Sequence, residues 1–256
     1  MGSLFTVRNV QVQARGRCIL SVPQLDFPAS QHTSIIGPNG AGKSTLLRAL
    51  LGLHGTGVRL RGESVGSNLK RGQIAWVGQH GQYNLPLTVT EYVQLGCCPH
   101  GSWFKKAQAP TTKLQHLLDV FDLRPLAQQR IGRLSGGEQQ RANLVRALLQ
   151  NAPVLLLDEP CNHLDIRHQH RLMHYLREHH AEFSVVMVLH DLTMAANHAD
   201  FIVLMNEGQI VASGTPQDVM QSDLLSEVYQ WPIRRIEEDG RLFFRMDHHS
   251  VHSAVA

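Results

Sequence analysis

Apolar and polar positions alternate along the start of the chain, at Phe5, Val7, Val10 and Val12 and again over residues 19–27. Because successive side chains of a strand point to opposite faces, this period of two predicts antiparallel strands with one buried face. The pattern changes at 32–36, where a short apolar strand runs into a glycine-rich turn and then into a helical pattern over 43–53. Strand, loop and helix in this order form half of an α/β unit.

Further buried strands are predicted at 74–77, 154–157, 184–189 and 201–205, with helical segments between several of them. This order predicts an α/β fold with a mainly parallel sheet in a three-layer core. Between the first two of these strands, apolar spacings of three and four residues predict a helical insertion over about 80–151. We therefore expect one domain over 1–246, which ends in a hairpin turning at Asp239-Gly240, and a disordered tail over 247–256.

The amino-acid composition indicates the general class of protein but not its activity. The 256 residues are 43% hydrophobic, which suits one large globular domain, and 24 basic residues face 21 acidic residues for a net charge of +3. Charges this balanced and scattered argue against a nucleic-acid partner. Apolar runs fall far short of the roughly 20 residues that span a bilayer, and we find no export signal or CxxC pair, so we expect a reducing, cytoplasmic location.

A phosphate-binding loop is the strongest chemical signal. The segment fits GxxxxGK[ST] and lies between a predicted strand and a predicted helix, where consecutive backbone N–H groups can surround phosphate oxygens. Lys43 is expected to reach the β- and γ-phosphates, and Ser44 to offer its hydroxyl to Mg²⁺. The expected ATP-binding residues are Gly37, Pro38, Asn39, Gly40, Ala41, Gly42, Lys43, Ser44 and Thr45.

Two acidic residues follow the buried strand at 154–157. In phosphate-loop ATPases the first acid supports Mg²⁺ and the second can orient the attacking water, which predicts these roles for Asp158 and Glu159. An acidic turn after a core strand would be unremarkable by itself. Together with the phosphate loop it indicates ATP hydrolysis.

A second helix start is encoded by Leu-Ser-Gly-Gly-Glu-Gln at 134–139. Ser135 and Glu138 have the spacing of a capping box, which leaves backbone N–H groups free at the helix start. Two glycines, Gly136 and Gly137, allow an anion to approach closely. If the helical insertion projects away from the phosphate loop, this site serves the nucleotide of a neighbouring subunit.

This run resembles the signature motif of ABC ATPases, and the resemblance extends over about 7–228. It implies an ATP-hydrolysing subunit that pairs head to tail with a second copy around two MgATP molecules. Gln79 looks like the Q-loop glutamine near Mg²⁺ and water, His190 like the switch histidine at the γ-phosphate, and Asp165 like the D-loop aspartate that contacts the partner. By resemblance, Glu159, His190 and Gln79 are catalytic, and Ser44, Gln79 and Asp158 hold Mg²⁺.

The chain also departs from the family pattern. Ala14 lies where the family usually has an aromatic residue that stacks on adenine, and Arg15 or Arg17 are the alternatives for stacking. Glu138 replaces the more frequent glutamine but still completes the capping box. No role is assigned to Cys161.

More narrowly, the segments at 87–96 and 161–169 and the C-terminal hairpin resemble the ATPase subunits of iron-siderophore, haem and cobalamin importers. Such a subunit lies at the cytoplasmic face of the membrane, with two separate transmembrane permease subunits and a periplasmic or lipoprotein substrate-binding protein. A zinc or manganese importer ATPase, a soluble ATPase of iron–sulfur assembly and a nucleotide-binding module without turnover are the alternatives. Metal sites at Cys97, Cys98 and His100 or in the histidine-containing tail are less favoured interpretations.

Overall fold

The computed structural model describes residues 2–55, 57–79, 85–97 and 111–246. Cys98, His100 and the predicted tail at 247–256 lie outside these ranges. The strands are β1 (Ser3–Ala14), β2 (Arg17–Pro28), β3 (His32–Ile36), β4 (Val58–Leu60), β5 (Glu63–Ser64), β6 (Ile74–Val77), β7 (Val154–Asp158), β8 (Ser184–Val188), β9 (Phe201–Asn206), β10 (Gln209–Gly214), β11 (Ile233–Glu238) and β12 (Arg241–Met246). The α-helices are α1 (Lys43–Leu50), α2 (Val65–Lys70), α3 (Val89–Gln94), α4 (Thr111–Val120), α5 (Gly136–Leu149), α6 (Ile166–Glu178), α7 (Leu192–His198), α8 (Pro216–Val219) and α9 (Ser222–Tyr229).

The N-terminal strands form an antiparallel sheet with the order β2-β1-β4-β5. Strands β1 and β2 are joined by a tight turn at Arg15 and Gly16, whose φ angles are 51° and 75°. Two central residues with positive φ match the right-handed twist of the flanking strands, so the turn holds the hairpin in register from Ala14 opposite Arg17. The predicted antiparallel strands at the start of the chain are confirmed.

The central sheet has the order β10-β9-β3-β8-β7-β6 in the described part of the chain, and all its pairings except that of β9 with β10 are parallel. It is buried on both faces. In β7, Val154 and Leu156 face the core under the antiparallel sheet, whereas Leu155 and Leu157 face the core under the helices. Continuous apolar strands are expected when both faces of a parallel sheet are covered. The predicted α/β fold with a mainly parallel sheet is confirmed.

Helices occupy the described residues between β6 and β7, where α3, α4 and α5 share one hydrophobic core with the central sheet. Leu114, Leu117, Leu118 and Phe121 are all buried in that core, as their spacing predicts. The proposed bounds of the insertion, about 80–151, and of a single domain, 1–246, stay predictions. No helix among the described residues is both long and apolar enough to span a membrane.

Several local features differ from the sequence interpretation. Helix α1 ends at Leu50, before the predicted residue 53, because Gly52 follows with a φ of 74° that does not continue a right-handed helix. The pattern did not predict β4, β5, α2, β10, α8 or α9, which are short or carry few apolar residues. The C-terminal hairpin is confirmed, with Asp239 and Gly240 at positive φ between β11 and β12.

Candidate functional site

The phosphate loop joins β3 to α1 through positions at which only glycine fits. Gly37 has a φ of 146°, and a Cβ atom there would lie 2.2 Å from the backbone oxygen of Met205. Gly42 caps α1 with a φ of 93°, and its Cβ would lie 3.0 Å from the backbone oxygen of Ile19. Both glycines combine a left-handed backbone with close approach to neighbouring strands, so the loop conformation is tied to the surrounding sheets.

The turn between β9 and β10 supports this loop from behind. The backbone N–H of Gly208 donates to the carbonyl of Ala41 at 3.1 Å, and the carbonyl of Gly208 accepts from the N–H of Ser21 at 2.7 Å. One glycine therefore links the loop to the antiparallel sheet. Such backbone bonds hold the loop in shape without using side chains that a ligand needs.

Lys43 is buried inside its own loop. Its Nζ donates to the carbonyls of Gly37 at 2.7 Å and Pro38 at 2.8 Å. Burial lowers the pKa of Lys43, and the nearby carboxyl groups of Glu159 and Asp158 oppose this shift. A cation held by two neutral carbonyls can exchange one of them for a phosphate oxygen, which gives a stronger charge-assisted hydrogen bond.

Asp158 lies at the end of β7 and is fully buried. Its Oδ1 accepts a 2.8 Å hydrogen bond from the hydroxyl of Ser44, whereas its Oδ2 has no hydrogen-bond partner among the described residues. Burial is the largest cause that raises the pKa of Asp158, and the Ser44 bond works in the opposite direction. A hydroxyl and a carboxylate with a free oxygen are hard ligands that suit Mg²⁺, so these residues fit the expected metal.

Glu159 and His190 come together from the ends of two adjacent strands. Glu159 has a φ of 51°, and its Oε1 lies 2.8 Å from Nε2 of His190. The other carboxylate oxygen accepts a hydrogen bond from the Asn162 side chain. The glutamate is therefore oriented by two partners, while His190 keeps 41% of its side chain exposed.

An open cleft of about 390 Å³ lies between the phosphate loop and Glu159. It is lined by Ile19, Asn39, Gly40, Ala41, Gly42, Lys43, Ser44, Thr45, Gln79 and Glu159. A neighbouring cleft of about 290 Å³ is lined by Gln79, Gln140, Asp158, Glu159, Asn162 and His163. The structure thus brings the predicted phosphate loop, Gln79 and both acidic residues to one place, and His190 joins them through Glu159.

Four residues at the clefts were missed by the sequence interpretation: Ile19, Gln140, Asn162 and His163. Ile19 lines the first cleft, whereas Ala14 ends β1 and Arg15 lies in the adjoining turn. Ile19 is half-buried and lies on the face of β2 opposite the buried Leu20 and Val22. An apolar residue on the polar face of the alternating pattern is the sequence signal that could have indicated it. Asn162 and His163 lie in the segment at 161–169 that resembles the family, and Gln140 directly follows the signature at 134–139. None of these three residues is part of a sequence pattern that indicates a cleft.

The predicted signature residues form a capped helix start, away from these clefts. The Ser135 Oγ accepts from the Glu138 N–H at 3.4 Å, and the Glu138 carboxylate accepts from the Ser135 N–H at 2.7 Å. The predicted capping box at α5 is confirmed. Ser135, Gly136 and Gly137 are not among the described residues that line either cleft.

The glycine at 137 is required by a contact within the chain. A Cβ atom there would lie 2.5 Å from the backbone oxygen of His163. Three residues further along α5, the Gln140 amide donates to the carbonyl of Pro160 at 3.2 Å. The signature helix therefore packs directly against the segment that follows Glu159.

Asp165, the predicted D-loop residue, is the N-cap of α6. Its Oδ1 accepts from the backbone N–H of His168 at 2.8 Å and lies 2.8 Å from the imidazole Nδ1 of the same residue. These two bonds lower the pKa of Asp165, the backbone bond most strongly. The carboxylate is thus held in one orientation at an exposed corner.

The cysteines support no metal site in the described residues, where no group of three or more histidine, cysteine or acidic side chains could hold an ion. Cys161 packs its Sγ 3.6 Å from the Met194 sulfur. Burial raises the pKa of Cys161 to about 12, which keeps it a protonated thiol at neutral pH.

Comparison with known proteins defines the class. The family model described as "ABC transporter" matches residues 20–162, which include the phosphate loop, the signature and both acidic residues. The chain belongs to the ABC transporter family and is an ATPase of that family. No single motif decides this assignment, because the match spans more than half of the chain.

The chain is also similar to curated proteins that are named for hemin import. The chain is 37% identical over 242 residues to the hemin import ATP-binding protein HmuV of Shewanella denitrificans, covering 89% of this chain and 94% of the relative. It is 35% identical to the protein of the same name from Escherichia coli O157:H7, covering 88% and 92%.

Solved structures confirm the fold. A chain from a transporter assigned to the metal-chelate type, in an inward-facing conformation, superposes with a TM-score of 0.80 at 22% identity and covers 98% of this chain and 100% of its own. An ATP-binding cassette in its ADP conformation gives 0.74 at 24% identity, covering 90% and 99%. At these identities the likeness concerns the fold alone.

Proposed function

We propose that this chain is the ATP-hydrolysing subunit of a hemin importer, and that it works as a head-to-tail dimer at the cytoplasmic face of the membrane. Two transmembrane permease subunits and a periplasmic or lipoprotein substrate-binding protein complete the proposed machine. The observation that carries the hydrolytic part is that Lys43, Ser44 and Glu159 line one cleft, where Ser44 bonds to buried Asp158 and Glu159 lies beside His190.

Each pair has a separate task in the proposed reaction. Lys43 binds phosphate oxygens in place of its own loop carbonyls. Ser44 and Asp158 would hold Mg²⁺, for which the buried Oδ2 of Asp158, without a hydrogen-bond partner among the described residues, is available. Bound Mg²⁺ supplies positive charge that offsets charge building up on the phosphates. Glu159, oriented by Asn162 and His190, accepts a proton from the attacking water, and Gln79 lines both clefts beside it.

The position of the signature supports the proposed dimer. Ser135 and the glycines after it start a helix with free N–H groups but lie outside the clefts of their own chain. A second copy in head-to-tail orientation would place this helix start against the phosphates, with Asp165 at the contact. ATP would then hold the interface together, and its hydrolysis would release it.

The cargo is inferred from relatives and not from the fold. Several curated relatives named for hemin import match 85–89% of this chain at 35–37% identity. The fold does not decide the direction of transport, because a bacterial Atm1-family exporter with ATP bound gives a TM-score of 0.74 at 24% identity. Hemin is thus favoured over the siderophores and cobalamin that the sequence left open.

Hemin uptake in a host that lacks the gene for this chain tests the proposal. The wild-type chain, Glu159→Gln and the surface control Lys70→Ala are expressed from the same plasmid, and uptake of hemin, a ferric siderophore and cobalamin is measured. We expect wild type and Lys70→Ala to restore hemin uptake alone. Glu159→Gln should abolish it and reduce ATP turnover about 1,000-fold, within the usual range for loss of a general base.

The purified variant is then tested for nucleotide binding and oligomeric state. Glu159→Gln keeps every phosphate contact, so it should bind ATP normally and accumulate as an ATP-bound dimer. Unimpaired turnover would remove Glu159 from the mechanism. Restoration of siderophore or cobalamin uptake with no effect on hemin would overturn the cargo but leave the ATPase intact.

A further inference from the structure

Asp122, just after α4, lies where three structural segments meet. Its carboxylate pairs with Arg171 at 2.8 Å and Arg167 at 3.2 Å, and Nε2 of His168 lies 3.4 Å away without a hydrogen-bond partner among the described residues; all three come from α6. Its backbone has a φ of 50°, a conformation that aspartate and asparagine tolerate better than most residues. Three basic or imidazole groups on one exposed helix converge on this single carboxylate.

The same corner is tied to the signature helix. The guanidinium of Arg141, which is 9% exposed, donates to the carbonyl of Phe121 at 2.6 Å and to that of Asp122 at 3.2 Å. Arg171 also donates to the carbonyl of Val120 at 3.0 Å. The end of α4 therefore connects α5, which starts at the signature, with α6, which starts at Asp165.

His168 connects this joint to Asp165. Its Nδ1 lies 2.8 Å from Asp165 Oδ1, and because an ionised carboxylate only accepts hydrogen bonds, Nδ1 carries the proton. The ring is 12% exposed and stands between the carboxylates of Asp165 and Asp122. The imidazole thus orients the Asp165 carboxylate directly, and the ion pairs of Asp122 with Arg171 and Arg167 hold α6, which carries the ring, against the end of α4.

We propose that His168 and Asp122 are positioning residues for ATP turnover, which hold the Asp165 carboxylate in the orientation needed by the partner subunit. The inference rests on the proposed dimer. The backbone bond from His168 to Asp165 does not depend on the imidazole, so changes to the ring should spare the cap of α6 and alter only the orientation of the carboxylate.

Two conservative substitutions separate the two ends of the ring. His168→Asn keeps a donor near the position of Nδ1, and His168→Gln keeps one near the position of Nε2 while losing the bond to Asp165. His168→Ala loses both. His174→Gln is the matched control on the same helix, since His174 is 70% exposed and forms an ion pair with Glu178 at 3.2 Å.

The readouts are kcat and KM for ATP, nucleotide affinity at a protein concentration that keeps the chain monomeric, and the melting temperature. We expect His168→Gln and His168→Ala to lower kcat about tenfold with KM and monomer affinity unchanged. His168→Asn should stay within about twofold of wild type, and Asp122→Asn should fall between them. A change of tenfold in rate corresponds to about 1.4 kcal/mol in the barrier.

A double-mutant cycle tests whether the effect passes through Asp165. If it does, His168→Gln should cause no further loss in an Asp165→Asn background, because the acceptor is already altered. Multiplicative losses, or equal losses in His168→Asn and His168→Gln, would overturn the positioning role. So would a wild-type kcat in His168→Ala.

Glu159→Gln is assayed in the same series to keep the two proposals apart. Unimpaired turnover in that variant would contradict the proposed ATPase mechanism. Lost turnover in Glu159→Gln with wild-type turnover in all His168 variants would overturn the positioning proposal alone.

Discussion

The two halves of the proposed site differ in how they are held. The phosphate-loop half surrounds two neighbouring clefts, where loop carbonyls hold Lys43, Ser44 donates to buried Asp158, and Glu159 lies beside His190. The signature half, at Ser135 and Asp165, consists of helix caps whose bonds are local and exposed. We expect the first half to bind a nucleotide by itself and the second half to contact the nucleotide of a partner subunit. Variants can test this division.

Among the variants that test this division, the largest effect is expected from a charge at the signature. Aspartate is a good N-cap, so Ser135→Asp should keep α5 but place a negative charge where a partner's phosphate would bind. We expect turnover to fall about 100-fold, comparable to loss of an anion-stabilising donor, with monomer ATP affinity unchanged. Phosphate release and equilibrium binding measure the two quantities.

The chain contains a matched control for this change. Thr88 and Glu91 form the same capping box at α3, outside the proposed site. Thr88→Asp should leave turnover of the purified ATPase unchanged. Weakened binding of ATP to the Ser135→Asp monomer would contradict the division into two halves.

A smaller effect, on affinity, is expected in the other half. Lys43→Ala removes the cation that can exchange loop carbonyls for phosphate oxygens, so ATP affinity should weaken about 10- to 100-fold, as for loss of a charge-assisted hydrogen bond. Titration of the monomer with a fluorescent ATP analogue measures this, with exposed Lys70→Ala as the control.

Mixing the two defective chains sharpens the comparison. In a mixed dimer of Lys43→Ala and Ser135→Asp, one site joins an intact phosphate loop to an intact signature. Equal mixing should therefore restore about a quarter of wild-type turnover, since half of the dimers are mixed and each has one intact site of two. Absence of any recovery would contradict a site shared between subunits.

The smallest effect concerns stability. Because burial raises the pKa of Asp158, the folded protein binds this proton more tightly than the unfolded chain, and stability is lost as pH rises through that range. The side chain introduced by Asp158→Asn cannot ionise, so this variant should melt at a higher temperature than wild type at pH 8 without nucleotide. Each kcal/mol gained in the free energy of unfolding should raise the melting temperature by roughly 2–4 °C.

Two further measurements complete this test. The difference in melting temperature should shrink as pH is lowered and Asp158 becomes protonated, and the variant should lose the stabilisation by MgATP that wild type shows. A lower melting temperature for Asp158→Asn at pH 8 would contradict a destabilising buried charge.

Much of the fold and site was predictable because its signals are local. Period-two alternation located β1 and β2, and apolar runs located β3, β6, β7, β8 and β9 within one or two residues. The capping box at Ser135 is encoded within four residues, so no tertiary information was needed. Short elements such as β4 and α8 were missed because packing, and not their own periodicity, stabilises them.

By itself, the sequence determined the order of the main strands, the phosphate loop and which residue types were present for ATP chemistry. Only the tertiary structure decided that Ser44 meets Asp158 across 114 positions and that Glu159 meets His190. It also placed Ile19 at the cleft, whereas the family resemblance had directed attention to Ala14 as the position of the adenine-stacking residue. The His168 ring lies between the carboxylates of Asp122 and Asp165, another contact that only the structure shows. Short sequence motifs reflect the local backbone conformation of a few residues. The contacts above depend instead on how strand ends and helix starts pack together, which no local pattern specifies.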